Sequence, residues 1–304
     1  MRKDRLDGIG FAALLGVTLL LGANQIMVKL INQGLQPVFF AGLRSVLGLG
    51  FVWLWLWFRG RPPVLRRADL RAGLLIGTVF AAEFLFLFIA LDLTAVSRAS
   101  IIFYSMPVWL ALLAHFGLPG ERITPFKAAG LACAFVGTAW AILSRSPDTA
   151  GSLTGDLYAL GGAFGWAATA FVARKSRLRE AGPEMQLFWM VLVSGPVLLL
   201  VSPAFGPLIR DLHPLHIVGL LFQSSIVVAG GFICWLWLLS VYPSATVASF
   251  SFLTPIFAMF MGWLLFDEQI TAAILGAGVL VAAGIMLINR RSPAPQPVPA
   301  GNRP

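Results

Sequence analysis

Apolar residues along this chain come in runs of about 20, parted by short polar breaks, and a run of that length crosses the hydrocarbon core of a bilayer as one helix. Ten runs are read, over residues 8–31, 38–58, 70–91, 96–116, 126–143, 156–173, 186–205, 215–239, 244–265 and 271–289. The breaks fall at Arg59 to Arg71, Pro119 to Pro125, Ser144 to Gly155 and Arg174 to Glu184. The tightest is Tyr242-Pro243-Ser244, where a proline cannot continue a helix cleanly. The first run is longer than the core of a signal peptide and no convincing cleavage site follows it, so it is taken as the first span. Residues 292–304 are rich in proline with little to bury, and are expected to form a disordered tail. The fold class expected is an all-α polytopic membrane protein of ten transmembrane helices.

Composition agrees with the pattern. Of 304 residues, 58% are hydrophobic and 12% charged, with a mean hydropathy of +0.85. A soluble domain carries about 25% charged residues, so this excess of apolar surface calls for a solvent other than water. The net charge of +9 does not point to nucleic acid, because the cations sit between the apolar runs and not along a stripe. With the amino terminus in the cytoplasm, 17 of the 22 lysines and arginines fall on the inner side and four on the outer side (Lys29, Arg98, Arg145, Arg210), while Arg44 lies within a span. That bias fits ten spans with both termini in the cytoplasm, and the membrane expected is a bacterial inner membrane. Cys133 and Cys234 both lie inside apolar runs, and no disulfide or metal-ligand spacing is present.

The chain repeats itself. Ala95 to Pro107 (Ala-Val-Ser-Arg-Ala-Ser-Ile-Ile-Phe-Tyr-Ser-Met-Pro) resembles Pro243 to Pro255 (Pro-Ser-Ala-Thr-Val-Ala-Ser-Phe-Ser-Phe-Leu-Thr-Pro) at an offset of 148. Glu121-Arg-Ile-Thr answers Glu268-Gln-Ile-Thr, and Gly137 answers Gly284, both at 147. Lys29 pairs more faintly with Arg174, at 145. The expected units are residues 1–147 and 150–291, with five spans each. Because five is odd, the second unit enters the membrane from the opposite side, and the two are related by an axis in the membrane plane.

On these residues the chain resembles the ten-helix drug/metabolite transporter superfamily, with two EamA-type repeats, over about residues 8–290. Pro107, Pro255, Glu121 and Glu268 are the most recognisable pieces, and the aromatic richness is similar to that of the aromatic amino acid exporters. The chain departs from the usual pattern in the first span, where Leu21-Gly22-Ala23-Asn24 stands where many members carry a tryptophan-glycine pair. The resemblance implies a substrate path surrounded by spans 1, 3, 4, 6, 8 and 9.

Ionisable groups within a span are costly and so are candidates for function. Arg44 in span 2 and Glu83 in span 3 both lie some 10–12 Å below the outer surface at about 1.5 Å per residue. They are expected either to form an ion pair that holds the two helices together, or to leave Glu83 free for proton coupling or a substrate ammonium. Lys29 and Asp92 fall at outer span ends, where snorkelling or a surface pair is expected. His115, His213 and His216 lack metal-ligand spacing. In span 4, Ser97, Ser100, Tyr104 and Pro107 recur at steps of three and four on one face. Ala248, Ser251, Phe252 and Pro255 are their counterparts in span 9. Ser100, Tyr104, Ser251 and Phe252 are candidate cavity residues, and Pro107 and Pro255 are candidate hinges, since each leaves a carbonyl unbonded one turn earlier. Phe80, Phe84, Trp166 and Trp235 are candidate aromatic walls, while Asn24, Gln25, Thr169 and Gln223 are candidate polar contacts. Trp53, Trp55 and Trp57 fit an interfacial belt.

The resulting expectation is a secondary transporter that exports amino acids, aromatic or other neutral, and related metabolites by alternating access. Its partners are a small-molecule substrate and membrane lipids, with no nucleic acid and no cofactor, and a monomer is favoured. No phosphate-cradling Gly-x-x-x-x-Gly-Lys motif is present, which excludes ATP hydrolysis. A drug exporter of the same superfamily is the alternative. A membrane-embedded lipid-modifying enzyme is the competing class, and it would need Asp, His or Cys clusters at the membrane face.

Overall fold

With no water in the bilayer core, each backbone N–H and C=O has to be satisfied within its own segment, so the apolar runs form helices. The computed structural model describes residues 7–119, 121–144, 151–242, 250 and 253–289. The helices are α1 (Gly8–Gly34), α2 (Pro37–Phe58), α3 (Leu70–Leu93), α4 (Val96–Phe103), α5 (Met106–Gly117), α6 (Pro125–Leu143), α7 (Leu153–Lys175), the single turn α8 (Leu178–Ala181), α9 (Pro183–Val201), α10 (Pro214–Phe222), α11 (Phe232–Val241), α12 (Leu253–Phe266) and α13 (Ala272–Asn289). No strand occurs among the described residues, only two isolated bridges, Leu35 to Ile209 and Thr94 to Gly151. Among the described residues, seven helical stretches are long and apolar enough to cross a membrane, and Leu253–Phe266 and Ala272–Ile288 are shorter apolar helices. The chain is thus a multi-pass membrane protein.

Start signals sit where capping chemistry needs them. The side chains of Asp7, Thr124 and Ser152 accept from the backbone N–H of Gly10, Lys127 and Gly155, satisfying donors that a helix start leaves free. Two expected spans are interrupted. Residues 96–116 form α4 and α5 with a break at Tyr104 and Ser105, because Pro107 has no N–H to offer the Phe103 carbonyl. Residues 215–239 form α10, a π-helical segment Gln223–Gly231 and α11. The residues after Tyr242 at the expected Pro243 break, and the tail 292–304, lie outside the described residues.

Small residues set the helix contacts, as expected where lipid competes on equal apolar terms and close backbone approach decides. A Cβ placed on Gly130 would stand 2.6 Å from the Gly284 carbonyl oxygen, and one on Gly137 would stand 2.8 Å from that of Ala277. The 147-residue offset carries Gly130 to Ala277 and Gly137 to Gly284, so α6 and α13 meet reciprocally and run antiparallel. On the other side of the bundle, α7 lies against α3 through Gly165, where a Cβ would be 2.8 Å from the Glu83 Cα.

Candidate functional site

A cavity of 330 Å³ lies among α1, α2, α3, α4, α7, α9 and the π-helical segment with α11. Its polar lining is Asn24, Gln25, Arg44 and Glu83. Its aromatic lining is Phe80, Phe84, Phe103, Tyr104, Trp166, Phe232 and Trp235, and Val17, Leu21, Leu87 and Leu187 complete the walls. The rings form two clusters: Phe80 and Phe84 are 4.6 Å apart in one, while in the other Phe103 stacks on Trp166 at 5.0 Å and Tyr104 meets Trp166 edge-on at 5.5 Å. Such a space can hold a small molecule with a flat apolar part and a polar end.

Of the residues singled out from the sequence, Asn24, Gln25, Phe80, Glu83, Phe84, Tyr104, Trp166 and Trp235 line this space. Ser100, Thr169 and Gln223 stand behind the lining and hold it. The Ser100 hydroxyl donates to Gln25 Oε1 at 2.6 Å, and the Thr169 hydroxyl donates to Glu83 Oε2 at 2.9 Å. Gln223 Nε2 donates to the Asn24 carbonyl at 3.3 Å. Ser251 and Phe252 lie outside the described residues. Pro107 lines a separate pocket with Glu121 and Arg174, whereas Pro255 faces a mostly apolar groove beside Tyr104 and Met259.

The expected ion pair between Arg44 and Glu83 does not form as a direct contact within 4 Å. Glu83 takes the Thr169 hydroxyl, which the glycine contact at Gly165 brings within reach. Arg44 Nη1 points at Gln223 Oε1, 3.5 Å away, and the guanidinium lies 4.1 Å from the centre of the Phe84 ring and 5.0 Å from that of Phe88. Both side chains are buried.

Several lining residues were not foreseen. Phe103 falls off the face shared by Ser97, Ser100 and Tyr104, and reaches the cavity beside the α4–α5 break. Val227, Val228, Gly231 and Phe232 belong to the π-helical turn or adjoin it, whose wider period shifts the faces that a 3.6-residue pattern assigns.

Beyond the cavity, past Gln25 on α1, a polar layer closes one end of the bundle. Glu268 is 4% exposed and accepts from the Val96 N–H at 2.6 Å, the Ser97 N–H at 2.9 Å, the Ser97 hydroxyl at 2.9 Å and Lys29 Nζ at 3.5 Å. Lys29 Nζ also donates to the Thr94 carbonyl at 2.8 Å. In the same layer Arg98 Nη2 meets Asp156 Oδ2 at 2.6 Å, and Arg210 meets Asp92 through two nitrogens at 2.8 and 3.0 Å. Lys29 and Asp92 are therefore both paired, although their partners were not foreseen. At the opposite end Arg174 pairs with Glu121, with side chains 46% and 36% exposed. The repeat thus places Lys29 with Glu268 at one end and their counterparts Arg174 with Glu121 at the other. His115 Nδ1 accepts from the Ile123 N–H, a local cap at that second end.

A family model described as the EamA-like transporter family matches residues 8–143 and again residues 153–290. The chain is 24% identical over 277 residues to the "Uncharacterized transporter YoaV" of Bacillus subtilis (strain 168), covering 90% of this chain and 94% of that one. It is 28% identical over 297 residues to the "Probable amino-acid metabolite efflux pump" of Escherichia coli (strain K12), covering 93% and 95%. A solved crystal structure superposes with a TM-score of 0.62 at 19% identity, covering 92% of this chain and 95% of that one, a likeness of fold.

Proposed function

Because the chain belongs to the EamA-like transporter family, we propose that it is a secondary transporter of a bacterial inner membrane that exports neutral amino acids, aromatic ones among them, and related small metabolites. It crosses ten times, in two inverted five-helix halves with both termini cytoplasmic, and works by alternating access without covalent chemistry. The observation that carries this is the cavity itself. It is walled by aromatic rings, holds one buried cation and one buried anion, and lies where the two halves meet. The efflux pump relative agrees with the direction and the class of cargo. The substrate enters a single chain surrounded by lipid, and no cofactor or nucleic acid takes part.

The reciprocal packing of α6 on α13 supports an axis in the membrane plane. The two equivalent ion pairs support a cycle. Lys29 with Glu268 is drawn into a buried network at the outer end, while Arg174 with Glu121 stays exposed at the inner end. Such an arrangement is that of an inward-open state, and the opposite state exchanges which pair is buried.

Counterflow of labelled phenylalanine, methionine or threonine into liposomes carrying the purified protein tests the function. Uptake above that of protein-free vesicles is expected, and none for any of the three would remove the amino acid reading. Glu268→Ala tests the cycle, because it frees the start of α4 from its carboxylate. In a chain with Cys133 and Cys234 replaced by serine, a Ser100→Cys probe is expected to react several-fold faster with an impermeant maleimide added from outside once Glu268 is removed. An unchanged labelling rate would mean that this carboxylate does not hold the outer end shut.

A further inference from the structure

Arg44 is the cation that the fold leaves least answered. It sits in the first half of α2, is 4% exposed and lines the central cavity. Its Nε has no hydrogen-bond partner, and its only side-chain acceptor among the described residues is the neutral oxygen of Gln223, at a long 3.5 Å. The guanidinium carbon lies over the Phe84 and Phe88 rings, 4.1 and 5.0 Å from their centres, and these rings offer no oxygen to its N–H groups, which still call for an acceptor. A guanidinium presents donors in a planar fork that matches a carboxylate bidentately, and a buried charge left without its counter-charge is costly. Gln223 cannot supply that charge, and the Glu83 carboxylate, which accepts from Thr169, makes no direct contact with the guanidinium. Asn24 Oδ1, also in the lining, is buried and unpartnered as well.

We propose that Arg44 is the carboxylate receptor of this cavity, that Glu83 takes the ammonium, and that the transported class is therefore a zwitterionic α-amino acid whose apolar side chain lies against the aromatic walls. This rests on the transporter reading above and goes further, because it assigns a residue to each end of the ligand. It also separates this chain from an exporter of lipophilic cations, for which a buried arginine in the cavity would be repulsive. The volume of 330 Å³ suits one such molecule.

The test uses the wild-type protein in liposomes, with counterflow of labelled phenylalanine as the readout and unlabelled analogues as competitors. Phenylalanine is expected to compete at least about tenfold better than phenethylamine, which lacks the carboxylate, and better than 3-phenylpropionate, which lacks the ammonium. Arg44→Gln is expected to abolish the preference for phenylalanine over phenethylamine, and Arg44→Lys to restore part of it, since the charge returns without the fork. Phenylalanine transported by the wild type but displaced equally well by phenethylamine would overturn the role of Arg44 and leave the transporter reading standing. Displacement by 3-phenylpropionate as strong as by phenylalanine would overturn the role of Glu83. A folded wild type with no phenylalanine counterflow would sink the inference, and counterflow of methionine or threonine in the same vesicles would show that the transporter reading survives it. The analogue comparison on the wild type decides even where the Arg44→Gln chain does not fold.

Discussion

Replacing Arg98 by methionine is expected to lower the unfolding free energy of the detergent-solubilised protein by about 3–5 kcal/mol, the usual cost of removing one partner from a buried ion pair. Arg98 is 3% exposed and Asp156 is fully buried. The guanidinium spans three elements at once, meeting Asp156 at the start of α7 and donating to the carbonyls of Ala141 at 2.6 Å and Ser144 at 2.9 Å, at the end of α6. Without it, Asp156 loses the guanidinium that binds it from α4, and the α6 carbonyls lose a shared donor. Arg98→Met combined with Asp156→Leu is expected to recover part of the loss, because the buried carboxylate that Arg98 answers is then removed with it. Arg174→Ala breaks an exposed pair and is expected to cost less than about 1 kcal/mol. Denaturant titrations of the three variants check this, and equal losses for Arg98→Met and Arg174→Ala would contradict it.

The second large effect is expected at Gly165. A Cβ there would stand 2.8 Å from the Glu83 Cα and 3.2 Å from its backbone nitrogen, so no rotamer change relieves the clash. Gly165→Leu has to push α7 off α3, at a cost of about 1–3 kcal/mol or more. It also draws the Thr169 hydroxyl away from Glu83, so counterflow of labelled phenylalanine is expected to fall at least tenfold, about 1.4 kcal/mol in the barrier. Gly161→Ala is the control, since its Cβ would meet only the Phe86 ring, at 3.2 Å, a side chain that can turn. Stability and transport close to wild type are expected there. Full transport in Gly165→Leu would mean that the α3–α7 contact does not position Glu83.

Much of the fold was legible along the chain, for reasons of period and length. The apolar runs 38–58, 70–91 and 126–143 appear as Pro37–Phe58, Leu70–Leu93 and Pro125–Leu143, because hydropathy reports burial in lipid directly. Two runs hid interruptions. Pro107 announced the α4–α5 break by its missing donor, but the π-helical turn at Gln223–Gly231 carries no proline, and nothing in Gln-Ser-Ser-Ile-Val-Val-Ala-Gly-Gly distinguishes it from an ordinary helix. That hidden turn is why Val227, Val228 and Phe232 were missed as cavity walls while Trp235 was found.

The candidate site was half legible. Polar residues within spans are few enough to single out, and most of the residues named line or support the cavity. Their partners were not legible, since a charged side chain at a given depth states only that it needs a partner. Arg44 and Glu83 share a depth, which made them an obvious couple, yet Thr169 holds the carboxylate and two phenylalanine rings hold the guanidinium.

What the sequence by itself determined, then, was the all-helical, multi-pass character of the chain, its membership of a family whose model matches it twice, and the equivalence of Lys29 with Arg174 and of Glu121 with Glu268. Each follows from local composition or from a repeat that can be read in one dimension. Tertiary structure alone decided that Lys29 meets Glu268, 239 positions away, and that the carboxylate of this pair is buried while Arg174 with Glu121 is exposed. It also decided that Arg44 lines the cavity with its Nε unpartnered. These depend on how close two helices can approach, and small residues such as Gly165 and Gly284 set that distance only once their neighbours are in place.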